Sequence, residues 1–179
     1  SIAGVEKIQI GETIADALNP IALPVMDIEK PTVKMTFGVN TSPFAGQEGE
    51  FTTSRQIKER LEREVQNDVA LRVEPGTGDG TFVVSGRGEL HLSVLIEKMR
   101  REGFELQVSR PQVIFMEENG KATEPFEQVF IEAPEANAGI IIEKMGKRKG
   151  EMKDMKVENG TAFLEFDIPT RGLIGYRNE

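Results

Sequence analysis

Apolar and polar positions change period in a regular order along residues 31–110. Val33, Met35, Phe37 and Val39 alternate with Lys34, Thr36 and Gly38, which predicts a half-buried strand. Asn40 to Gly49 is a polar loop containing Pro43 and Gly46. Thr53 followed by Gln56 has the spacing of a capping box, and Ile57, Leu61 and Val65 then recur every four residues on one helix face. The other faces carry Lys58–Glu62, Glu59–Arg63 and Arg60–Glu64, opposite charges that read as a solvated helix surface. Val69 to Val73 predicts a second strand, Pro75 to Gly80 a tight connection, and Phe82 to Val84 a third strand. Ser85-Gly-Arg-Gly88 leads into a second helix, Glu89 to Glu102, striped by Leu92, Leu95, Ile96 and Met99, with Gly103 suited to end it. Phe104, Leu106 and Val108 alternate as a fourth strand. The order β-α-β-β-α-β is the ferredoxin-like split arrangement, in which two helices cover one face of a sheet.

The same order begins again after Glu124-Pro125. Phe126, Gln128, Phe130 and Glu132 fall on one face of a strand, with Val129 and Ile131 on the other. Ala136 to Lys147 reads as a helix whose apolar positions are Ile140, Ile141 and Met145. Met152, Met155 and Val157 mark a strand, Glu158-Asn-Gly160 a turn, and Ala162, Leu164, Phe166 and Ile168 another strand. Thr170-Arg-Gly172-Leu173 parallels Gly86-Arg-Gly88-Glu-Leu90 at the start of the earlier second helix. The expected class is therefore α+β, with two consecutive ferredoxin-like modules over 31–112 and 122–179 and a linker over 113–121. The second module is expected to be truncated within its second helix. Residues 1–30 read as a β-hairpin around Gly11 followed by a stiff, proline-rich connector.

Charge and composition narrow the chemistry. The 179 residues carry 22 basic and 30 acidic side chains, a net charge of −8, which argues against a surface that binds nucleic acid throughout. The chain has no Cys and a single His, so disulfides, thiolate metal sites and multi-histidine sites are excluded. No G-x-x-x-x-G-K-[S/T] segment is present to hold a nucleotide. Gly76-Thr-Gly78-Asp-Gly80 lies between strands and reads as a turn. Gly86 and Gly88 precede a helix whose N–H groups could receive an anion beside Arg87, or they simply permit the bend and close packing. His91 reads as structural or interfacial. The basic run Lys144, Lys147, Arg148, Lys149 and Lys153 has only Glu151 nearby. It is either a docking point for the phosphates of structured RNA or a solvated helix end where cations are favoured. No apolar run is long enough to cross a bilayer, and no membrane partner is expected.

Several segments resemble the TypA/BipA translational GTPases, relatives of elongation factor G, and the likeness runs over essentially the whole chain. They are Gly11-Glu-Thr-Ile-Ala-Asp16, Pro31-Thr-Val-Lys-Met-Thr-Phe-Gly-Val-Asn-Thr-Ser-Pro-Phe44, and Ser85-Gly-Arg-Gly-Glu-Leu-His-Leu92 with Met99-Arg-Arg-Glu-Gly103. Gly146-Lys-Arg-Lys-Gly150 with Ile168-Pro-Thr-Arg-Gly-Leu-Ile-Gly-Tyr-Arg177 points to TypA/BipA within the group, as does Arg87, where elongation factor G is expected to carry Met. The resemblance implies that residues 1–30 are the tail of a domain-two β-barrel with its linker, 31–112 the third domain, and 122–179 most of a fifth-type domain. It implies a cytoplasmic factor that binds GTP and Mg²⁺ through an amino-terminal domain outside this chain and acts on the bacterial ribosome under stress or in ribosome assembly. Lys144, Lys147, Arg148, Lys149 and Lys153 would then face large-subunit ribosomal RNA near the stalk base. Module one would contact the small subunit and relay the state of the GTP-binding domain, with Ser85, Arg87 and His91, and Arg171 of the second module, as ribosome or interdomain contacts.

The competing expectation is a stand-alone regulatory or protein-interaction module without ribosome binding. No cofactor is expected in this chain, and oligomeric state is left open. Neither expectation includes catalysis here. Purified chain should hydrolyse no GTP, and nucleotide-saturable turnover in a clean preparation would overturn that.

Overall fold

In a computed structural model, residues 10–24, 29–118 and 120–176 are described. The first half of the expected hairpin, Val5 to Ile8, lies outside them. The chain divides into two compact units, Ser1–Pro31 with Met35–Arg110, and Thr32–Lys34 with Pro111–Glu179.

The first unit is built from β1 (Val33–Val39) apart from Val33 and Lys34, together with α1 (Ser54–Asn67), β2 (Arg72–Pro75), β3 (Phe82–Gly86), α2 (Glu89–Arg101) and β4 (Leu106–Val108). Its strands lie in the order β2-β3-β1-β4, and β5 (Gln112–Val113) pairs with Lys34 and Val33 at the start of β1. The capping box forms as its spacing predicts. The Thr53 side chain accepts the Gln56 N–H, and the Gln56 side chain accepts the Thr53 N–H at 3.0 Å. Phe37, Ile57, Leu61, Val84, Leu92 and Met99 are all completely buried, so both helical stripes face apolar strand positions. Gly103, at φ +89°, follows the end of α2, and the Phe104 N–H donates to the Met99 carbonyl.

Two expectations fail here for identifiable reasons. The second strand starts at Arg72, not Val69, because Asp68 organises a turn. Its Oδ1 accepts the Ala70 N–H at 3.0 Å and its carbonyl accepts the Leu71 N–H at 3.2 Å. Ala70 and Leu71 are apolar because that turn is buried. Arg60 is also not part of a solvated face. It lies next to Leu61 on the buried side of α1, 6% exposed, and donates to Glu102 beyond α2 at 2.8 Å and to Glu64 at 2.8 Å. Lys98 of α2 completes the group through Glu64 at 3.2 Å. Of the outer pairs, Lys58–Glu62 forms, while Glu59 takes Arg55 as its partner.

The polar loop from Asn40 to Gly49 closes around one carboxylate. Glu105 accepts N–H groups from Gly46, Glu48 and Gly49 and the Asn40 amide. The Gly46 N–H is the largest influence holding the Glu105 carboxyl below its ordinary range.

In the second unit, residues 113–121 are not the bare linker expected. β6 (Met116–Glu118) and β7 (Lys121–Thr123) pair antiparallel within and beside that span. Then follow β8 (Phe126–Pro134), a short 3-10 turn (Glu135–Asn137), α3 (Ala138–Lys147), β9 (Glu151–Glu158), β10 (Thr161–Pro169) and the short α4 (Thr170–Leu173). The order β8-β10-β9 puts the last strand in the centre, antiparallel to both neighbours. Ala162, Leu164, Phe166 and Ile168 pack with Ala138 and Met145. Ile142 joins Ile141 at this core, whereas Ile140 is exposed, one residue off the expected stripe.

Replacing Arg60 with Ala should destabilise the first unit by about 1–2 kcal/mol, since the half-buried Glu64 keeps only Lys98 as a partner while Glu102 is half open to water. Chemical denaturation of both chains measures this. The Arg60 hydrogen bond holds Glu102 below its ordinary 4.5, and for Glu64 the bonds from Arg60 and Lys98 outweigh a burial that alone would raise it. Both folded values are depressed, so this stabilisation is complete above pH 4.5 and is lost as pH falls through the folded values. The stability of Arg60→Ala should accordingly fall less than wild type below pH 4.5.

Candidate docking surfaces

The candidate residues of the first unit lie where β3 turns into α2. Ser85 is inside the sheet, paired opposite Arg72 and only 9% exposed, so it offers little surface. Arg87 is exposed at the corner, and its backbone N–H donates to His91 Nδ1 at 3.2 Å. With Nδ1 accepting, the other ring nitrogen carries the proton and donates to Asp68 Oδ2 at 2.6 Å. His91 therefore ties the β3–α2 corner to the end of α1, and neither ring nitrogen is left for general-base work. Gly86 makes this approach possible, since a Cβ there would lie 2.8 Å from His91 Nδ1 and 3.0 Å from a Leu92 methyl. A Cβ at Gly88 would meet nothing within 4 Å, so close packing requires only the first glycine. Burial alone would push the Asp68 carboxyl up, but hydrogen bonds from His91 and the Ala70 N–H outweigh it and set it below 3.8. Asp68 was not legible as a partner because it sits 23 residues before His91 in an apparent strand boundary.

The basic run of the second unit separates into different roles. Arg148, at the cap of α3, turns inward: its Nη1 donates to the carbonyls of Gly172 at 2.7 Å and Ile174 at 3.2 Å. The guanidinium also lies over the Tyr176 ring, 5.4 Å from its centre. Lys149 is exposed with φ +67°, forced there by the sharp exit from the helix. Lys147 pairs with Glu143 one turn back, and Lys144 is half-buried in the same last turn. Lys153, on β9, is held by Asp167 at 3.2 Å and Glu151 at 3.3 Å. Lys144, Lys147 and Lys149 therefore share the helix end, while Arg148 fastens it; Lys147 has one carboxylate partner and Lys153 has two.

Arg171 projects from α4 onto Glu124 at 2.6 Å, and the Thr170 N–H donates to the Pro125 carbonyl at 2.9 Å. These two bonds fix the start of α4 beside the start of β8. A Cβ at Gly172 would lie 2.5 Å from the Arg148 carbonyl, so the same corner admits only glycine. Among the described residues, no group of three or more His, Asp or Glu side chains is placed to hold a metal ion, and no helix is long and apolar enough to cross a membrane.

Residues 50–110 match the family model described as elongation factor G, domain III, and residues 121–179 match that described as elongation factor G C-terminus. The chain is 55% identical over 180 residues to the large ribosomal subunit assembly factor BipA of Synechocystis sp., an alignment covering 100% of this chain and 30% of that protein. It is 54% identical to the factor of the same name from Bacillus subtilis, covering 100% of this chain and 29% of that protein. Identity is 51% to the putative elongation factor TypA-like SVR3, chloroplastic, of Arabidopsis thaliana, with 99% of this chain and 27% of that protein covered. The chain thus spans about 30% of the length of the curated relatives it matches.

Two measurements check the His91 assignment. Nitrogen NMR at neutral pH should show Nε2 protonated and Nδ1 bare, and the reverse would refute the bridge. Asp68→Asn should lower the melting temperature, with a loss of about 1 kcal/mol.

Proposed function

Because the chain belongs to the TypA/BipA group of elongation factor G relatives, we propose that it is the part of such a factor that docks on the ribosome and relays the state of the GTP-binding domain. The α3 end, with Lys144, Lys147 and Lys149, meets large-subunit ribosomal RNA near the stalk base through phosphate contacts. The first unit faces the small subunit, and Arg87 is its most accessible candidate contact. The role of the whole factor, in the cytoplasm, is in ribosome assembly or the stress response. Support comes from the similarity to large ribosomal subunit assembly factors and from a basic helix end fixed by Arg148.

GTP and Mg²⁺ do not fit the residues of this chain. It lacks a phosphate-binding loop, and its described residues bring together no carboxylate set for a metal. Both belong to the amino-terminal domain of the proposed factor, and catalysis with them. The sheet order β2-β3-β1-β4 supports the ferredoxin-like class for the first unit, and β8-β10-β9 repeats it with β8, β10 and β9 in the places of β1, β3 and β2. We assign residues 10–24 to the tail of a preceding barrel domain on the sequence resemblance alone; they form turns and irregular backbone and no strand.

Changing Lys144, Lys147 and Lys149 together to Glu in the full-length factor should weaken binding to purified 70S ribosomes at least tenfold at low salt. The difference should shrink as salt rises. Arg148 is left intact, because its replacement would loosen the helix end itself. Undiminished ribosome binding by the triple variant would sink the proposal, and saturable binding to a protein partner with no ribosome binding would favour the stand-alone module.

A further inference from the structure

The outer face of the second-unit sheet, away from α3, holds aromatic rings and carboxylates in alternation. Register pairs Glu132 directly with Phe163 and Phe130 directly with Glu165, so rings and carboxylates occupy opposite diagonals of a small square. Phe130 is 70% exposed and Phe163 42% exposed, high values for rings in regular strands. On the neighbouring strand, Asp154 lies opposite Glu165 and Lys156 opposite Phe163, and these two pair with each other at 3.5 Å. These side chains line an open groove of about 390 Å³. Phe126, 60% exposed, extends the aromatic line along β8, four residues and about 13 Å from Phe130.

We propose that this face binds an extended, arginine-rich protein segment. A guanidinium stacks on a ring face while it hydrogen-bonds a carboxylate, and each ring of the square has a carboxylate directly beside it: Glu132 offers both oxygens, and Glu165, whose Oε1 accepts the Gln128 amide, offers the other. An ammonium can do the second but gains less from the first. The spacing of Phe126 and Phe130 equals that of every fourth side chain in an extended peptide, which places alternate residues on one face. The carboxylates disfavour RNA on this side, so the face is chemically distinct from the α3 end.

Fluorescence anisotropy of labelled hexa-arginine with the 179-residue chain tests this. Binding should weaken at least tenfold in Phe130→Ala/Phe163→Ala and in Glu132→Gln/Glu165→Gln, and hexa-lysine should bind at least threefold more weakly than hexa-arginine. Glu59→Gln/Glu62→Gln, on exposed α1 positions, should stay within twofold of wild type. Equal binding of hexa-lysine and hexa-arginine, or equal losses in all three variants, would mean attraction to net charge alone and would overturn the proposal. So would undiminished binding in either face variant, or stronger binding of an RNA hexamer that competes with hexa-arginine.

Discussion

In each unit an arginine reaches from one helical segment to the next and holds the layer above the sheet together. Arg60 spans from α1 to Glu102 at the end of α2, and Arg148 from the cap of α3 to the carbonyls of Gly172 and Ile174. The planar, permanently charged guanidinium suits this work, since it satisfies several acceptors in fixed directions while its stem packs against apolar neighbours. The two sites differ in what they bind. The Arg60 bonds run to carboxylates and are lost as these protonate, whereas the Arg148 bonds to Gly172 and Ile174 run to backbone carbonyls.

That difference shapes the surface. In the second unit, inward rotation of Arg148 leaves three lysines at the helix end and gives that end a rigid base. The outward charge of this end is smaller than the basic run suggests. In the first unit, His91 and Asp68 perform the corresponding task at the β3–α2 corner, leaving Arg87 outward.

Much of this was legible along the chain. The capping box at Thr53, the stripes of α1 and α2, the stop at Gly103 and the alternation of β8 and β10 all follow from local spacing, and local spacing is what sequence encodes most directly. The failures at Arg60 and Arg148 share a cause, a partner distant in sequence, whereas the turn at Asp68 is local. Arg60 looked solvated because its i,i+4 partner Glu64 is visible, while Glu102 is 42 residues away. The apolar run Val69 to Leu71 looked like a strand because its hydrophobic pattern outweighed the local turn signal of Asp68. Among the candidate contacts, positions were readable but orientations were not, so inward Arg148 and exposed Lys149 looked alike.

The placement of β10 also governs time. It is the central strand of its sheet but the last of the three to be made, so β8 has no partner until Thr161 and its successors emerge. At roughly 5–20 residues per second, the interval between Pro134 and Thr161 lasts on the order of a few seconds. Throughout it, Phe126 and Phe130 on one side and Val129 and Ile131 on the other remain unpaired. The β9–β10 hairpin, closed by a short turn, can then assemble locally and present a ready edge to β8. Vulnerability during synthesis is thus concentrated in one strand, and it ends in a single docking event.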